Sequence, residues 1–154
     1  MSQNFRFRTL DEVELLLPRI TAYFPKPEAV VYGLREVMVN AIEHGNLGIT
    51  YDEKTQLIAD GTWHSEVIRR LTLPEYQQRY AEASITVSDE EVSVTVSDCG
   101  RGFDWKPYVQ CETIDSVRPN GRGICTAIRL SFDALEYRGI GNEVRCVVRL
   151  KTAA

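Results

Sequence analysis

Three short segments carry residue types whose spacing could do chemistry. In the first, Gly33, Glu36, Asn40, Glu43 and His44 fall within about a quarter of a helix circumference at about 100° per residue, opposite the apolar Val30, Leu34, Val37, Met38, Ala41 and Ile42. Taken alone, that is the solvated face of an amphipathic helix, and it becomes a site only if other segments converge on it. The second is Asp98, which shares the parity of Val92, Val94 and Val96 and therefore points toward the core face of its strand. A carboxylate there must find donors, either backbone amides or those of a ligand such as the exocyclic amine of adenine. Gly100 and Gly102 leave room for a flat base to approach the backbone, although a tight turn closing a strand has the same composition. The third is Asn120-Gly121-Arg122-Gly123 ahead of an expected helix, where free amides and small residues suit an anion such as phosphate, or simply a glycine-rich connector.

These segments need elements to position them. Phe5 and Phe7 alternate with polar neighbours as in a half-buried strand, and Thr9 or Asp11 then offers a cap for a helix over 10–24, ended by Pro25 and Pro27. A second helix starts near Pro27 or Glu28 and stops at His44-Gly45-Asn46. Residues 51–80 read as one or two helices interrupted around Gly61 and Pro74, an insertion whose purpose the sequence leaves open. Alternation at Ile85 and Val87, and again at Val92, Val94 and Val96, predicts a hairpin turning at Asp89-Glu90-Glu91 and running into Asp98. A long loop over 100–123, a helix over 123–131 and closing strands over 132–137 and 143–150 complete the chain. One strand, then helices, then mostly strands argues for α+β: an antiparallel-rich sheet with helices on one face.

Composition narrows the field. The 154 residues make one domain's worth of chain, large enough to bury a core without disulfides or metals. A formal net charge of −4, with no block of like charge, lacks the electrostatic footprint of a nucleic-acid binder. No apolar stretch reaches the length of a membrane span and the first residues are charged, so neither a membrane nor export is expected and the expected location is cytoplasmic. The four cysteines, at 99, 111, 125 and 146, form no CxxC pair and are expected as reduced, packed thiols, with Cys99 inside the proposed site.

The three segments in this order resemble the GHKL ATPase superfamily: an N box, Glu36-Val37-Met38-Val39-Asn40, a first glycine box, Asp98-Cys99-Gly100-Arg101-Gly102-Phe103, and a second, Gly121-Arg122-Gly123. Gly141-Asn142-Glu143-Val144 is similar to the turn that leads into the family's last strand. The run Asn40-Ala41-Ile42-Glu43-His44-Gly45 is most similar to the anti-sigma factor serine-protein kinases. The resemblance implies a two-layer α/β sandwich, the Bergerat ATP-binding fold, with a mixed, mostly antiparallel sheet, as a single domain over 1–154. It implies ATP and Mg²⁺ as cofactors, with Asn40 on the metal, Asp98 reading adenine with Gly100, Gly102 and Phe103 beside it, Gly121, Arg122 and Gly123 on the phosphates, Glu36 as base, and an ATP lid over 104–120. Implied partners are a regulatory protein substrate of the anti-anti-sigma kind and a sigma factor, with a homodimer left open. A nucleotide-dependent binding switch without kinase activity, and a stand-alone histidine-kinase catalytic domain acting in trans, are the alternatives. The extra 51–80 segment departs from the compact anti-sigma pattern and puts the partner surface in question.

Overall fold

The computed structural model describes residues 1–106, 125 and 130–151. β1 (Ser2–Phe7) leads directly into α1 (Leu10–Thr21). Thr9 caps that helix by accepting the Glu12 N–H, while the Glu12 carboxylate returns to the Thr9 N–H at 3.1 Å, so two otherwise unpaired donors are satisfied reciprocally. The helix stops at Thr21, short of the expected end, though Phe24 beyond it still packs into the core. α2 (Pro27–Asn40) begins on a proline whose missing N–H costs nothing at a first helical position.

Instead of ending there, the helix widens into a π-helical turn over Ala41–Asn46. Residues 51–80 form α3 (Tyr51–Ala59), α4 (Trp63–Leu71) and a 3₁₀ turn at Pro74–Tyr76. β2 (Ala81–Val87) and β3 (Glu91–Ser97) are the expected hairpin, and β4 (Ala134–Arg138) and β5 (Glu143–Arg149) are the closing pair.

The sheet runs β1-β2-β3-β5-β4, and each ladder among the described residues is antiparallel. Register decides which side chains meet. Ile85 lies opposite Val94, which lies opposite Cys146, while Ala83, Val96 and Val144 form the neighbouring row; all are buried on one face. α1 and α2 lay Val13, Leu17, Ile20, Leu34, Val37 and Met38 over that face. The opposite parity is polar, with Arg145 ion-paired to Glu91 across the β3–β5 ladder. One apolar face against helices and one polar face is the pattern that period-two alternation dictates. The result is the expected α+β sandwich.

Cys146 is buried and free, and burial pushes its thiol up. Cys99 is exposed and free, whereas Cys125 is disulfide-bonded, which corrects the expectation of four reduced thiols. Among the described residues no helix is long and apolar enough to cross a membrane, and no group of three or more His, Cys, Asp or Glu is placed to hold a metal ion.

Candidate functional site

Asp98 follows directly on β3, and three backbone contacts fix it. Its N–H donates to the Asn142 carbonyl at 3.0 Å, the Asn142 side-chain amide donates back to the Asp98 carbonyl at 3.3 Å, and the next N–H, that of Cys99, donates to Asn46 Oδ1 at 2.8 Å. The carboxylate then accepts the Gly100 N–H on one oxygen, at 2.7 Å. Among the described residues the other oxygen has no hydrogen bond, and the side chain lines a cleft. Burial pushes this carboxyl up to about 6, with the Gly100 amide opposing the shift.

Glycine is required where the walls of the cleft touch. A Cβ on Gly45 would lie 2.3 Å from Asp98 Cγ, so the carboxylate occupies the volume a side chain would need. Gly102 has φ of 76°, and a Cβ there would come within 1.9 Å of the Ile140 carbonyl oxygen. The Phe103 N–H donates to that same carbonyl at 3.0 Å, closing the loop after Asp98 onto the β4–β5 turn.

From the helical side, Asn40 is the last residue of α2 and lines the cleft with His44 and Gly45 of the π-helical turn. π-turns add a residue to the helical circuit and recur at functional sites. His44 is largely buried, which holds its imidazole down at about 4 and therefore neutral, with Nδ1 against the Ile49 carbonyl. Glu36 sits one turn before Asn40, half-buried, and is not among the residues lining the cleft. Burial pushes its carboxyl up, opposed by the charge of Lys54 and reinforced by that of Glu43. A carboxylate raised toward neutrality is a stronger proton acceptor than an ordinary one.

The structure thus brings Asn40, Asp98, Gly102 and Phe103 to one cleft, and Gly100 lines a wider opening beside it. Gly121, Arg122 and Gly123, and the lid beyond Lys106, lie outside the described residues. Cys99 faces elsewhere: its thiol meets the Tyr80 carbonyl at 3.3 Å, so it is no part of the cleft. Two members of the supposed solvated face are buried. Gly33 donates its N–H to Ser131 Oγ at 2.9 Å. Glu43, with 0% exposure, accepts from Lys54 of α3 at 2.9 Å and from the Trp63 indole of α4. Asn46 and Asn142, which clamp the Asp98 backbone, carried no signal in the sequence beyond helix end and turn.

Val37, Ala41, Val96, Val144, Phe103 and Tyr137 give the cleft apolar and aromatic walls around one unsatisfied carboxylate oxygen. The chemistry of this lining suits a flat heteroaromatic group that carries an N–H donor and suits an anion poorly. The free acceptor suits the exocyclic amine of an adenine base, while the glycines let the walls of the cleft close on one another. No curated protein matches the chain. The family model for the histidine kinase-like ATPase domain matches residues 10–148, nearly the whole chain and all of the cleft described above. The chain belongs to the histidine kinase-like ATPase domain family, and ATP is the nucleotide that this membership implies.

Proposed function

We propose that this chain is an ATP-dependent serine/threonine-protein kinase of the anti-sigma factor type, moving the γ-phosphoryl of ATP to a hydroxyl on a regulatory partner protein and restraining a transcription factor by binding it. The observation that carries the reading is the meeting of Asp98 and Asn40 in one cleft, with Glu36 one helical turn away. Asp98 accepts the adenine amine on its free oxygen. Asn40 offers an amide oxygen to Mg²⁺, a hard cation that favours oxygen ligands and takes few from protein. When bound, the metal neutralises charge on the phosphates. Gly121, Arg122 and Gly123 supply phosphate-binding amides. Glu36 takes the proton of the attacking hydroxyl as the new P–O bond forms, and ADP departs with the electrons of the bond that breaks.

Incubation of the chain with labelled ATP, Mg²⁺ and a candidate partner tests this directly. A phosphoprotein stable to acid and labile to strong base is the expected product, and the reverse stability would indicate transfer to histidine. Glu36→Gln is expected to bind ATP and partner normally while transferring on the order of 10²–10⁴-fold more slowly. Transfer at the parent rate would return Glu36 to an ordinary helix residue, and no transfer by the parent to any partner would favour a nucleotide-dependent binding switch.

A further inference from the structure

The cleft has a wall contributed by the 51–80 segment. Tyr51, the first residue of α3, stacks on the His44 imidazole with 4.0 Å between centroids and 26° between planes. Phe103 lies 6.4 Å from Tyr51 between centroids, and Phe103 in turn meets Tyr137 edge-on at 5.2 Å. All four rings line the cleft that holds Asp98, and Tyr51 also borders the wider opening beside it.

Contacts on both sides fix the place of Tyr51. Thr50 and Glu53 form a capping box around the first turn of α3. Immediately before them, the His44 ring meets the Ile49 carbonyl, and the Ile49 N–H donates to the Glu43 carbonyl at 2.9 Å. One turn later Lys54 reaches the buried Glu43 carboxylate at 2.9 Å, and Trp63 of α4 donates to its other oxygen. The insertion is therefore tied to the π-helical turn through buried polar contacts, and an aromatic side chain is held where the two segments meet.

We propose that Tyr51 is a nucleobase-contacting residue, so that α3 and α4 complete the purine site instead of serving as an appendage. This rests on the ATP reading above. Among the described residues lining the cleft there is no Lys or Arg, and with Asn40 assigned to the metal, the rings and Asp98 are left for the neutral base of the nucleotide. Tyrosine brings a large ring at the cost of ordering two torsions, and base–aromatic stacking is tolerant of exact orientation.

Calorimetry on the full chain with MgATP and, separately, with magnesium tripolyphosphate distinguishes the outcomes. Tyr51→Leu keeps the bulk and removes the ring; it is expected to weaken MgATP by about tenfold while leaving tripolyphosphate unchanged, and Tyr51→Phe is expected to stay near the parent. Nuclear Overhauser contacts between adenine protons and the Tyr51 ring in the unmutated protein supply a reading that does not depend on how the variants fold. Parent-like MgATP binding by Tyr51→Leu, or an absence of those contacts in a saturated complex, overturns the role of Tyr51 and leaves ATP binding standing. A parent that binds no ATP sinks the nucleotide reading and this inference together.

Discussion

Two contacts of the π-helical turn, that with Asp98 and that around Glu43, are built by different means. Around Asp98 the chain is held through backbone groups: amides and carbonyls of Asp98, Cys99 and Phe103 meet Asn46, Asn142 and Ile140, the Gly100 N–H donates to the Asp98 carboxylate, and Gly45 leaves a Cβ-sized space filled by that carboxylate. Around Glu43 the work falls to side chains, with one fully buried carboxylate shared between an ammonium and an indole from the two inserted helices. The first contact tolerates almost no added atom but leaves an acceptor oxygen available. The second leaves both carboxylate oxygens engaged. An unsatisfied acceptor held in a rigid frame is prepared for a ligand, whereas a satisfied buried pair fixes architecture.

The largest expected effect of breaking that contrast is at Asp98. Asp98→Asn turns an acceptor into a group that presents its own N–H₂ to the base, and ATP affinity measured by calorimetry is expected to fall on the order of 10²-fold with an unchanged circular dichroism spectrum. Gly45→Ala sharpens the point without touching charge: the new methyl displaces the carboxylate, so the loss in affinity approaches that of Asp98→Asn while the helix, if anything, gains propensity. Undiminished binding in either variant would mean that the base lies elsewhere.

At Glu43 the effect is expected in stability. Lys54→Met leaves Glu43 buried with the indole alone, which is expected to cost about 3 kcal/mol in denaturant unfolding. The pH dependence follows from the direction of the Glu43 shift. Burial raises this carboxyl, and removing the ammonium raises it further, so the folded state holds more protons than the unfolded one. The deficit is therefore smallest while Glu43 is protonated in both folded proteins and grows as pH rises through the raised folded-state value of the parent. A deficit independent of pH would point to lost packing of the Lys54 stem instead.

A smaller effect separates ligand from fold at Asp98 itself. Adenosine carries the amine without the titrating phosphates, and its affinity is expected to fall by up to about tenfold for each pH unit below about 6 as the carboxylate is protonated. In the ligand-free protein the sign is opposite: with the folded-state value raised, the contribution of Asp98 to stability is present below its ordinary value and lost as pH rises through about 6. A flat adenosine profile across that range would remove the ionised form from base recognition.

What was legible in the sequence follows the same division. The strands read directly, because alternation at Phe5 and Phe7, at Val92, Val94 and Val96, and at Val144 and Cys146 is the direct imprint of one buried sheet face. Asp98 read as a core-facing acceptor from parity and is half-buried at the cleft, whereas Gly100 and Gly102 were read as room for a base and that room is taken by the carbonyls of Gly45 and Ile140. Glu43 was misplaced on a solvated face, because helical periodicity says which side of α2 a residue occupies and nothing about what a later insertion lays over that side. Tyr51 was invisible as a cleft residue for the same reason: its role depends on the fold bringing α3 against His44. The exit of α2 was expected at a Gly-Asn stop, and no propensity distinguishes an α-helical ending from the wider circuit that formed.

That wider circuit makes spacing a determinant in its own right. Each residue removed from an α-helix turns everything after it by about 100°. Between Asn40 and Gly45 the π-turn sets the angular phase that aims an amide and a bare backbone into the same cleft. Chemically mild replacements along 41–46 leave that phase intact, whereas deletion or insertion of a single residue rotates Gly45 out from beneath Asp98 and carries Ile49, Tyr51 and Lys54 with it. The segment behaves as a ruler, constrained in length before it is constrained in letters.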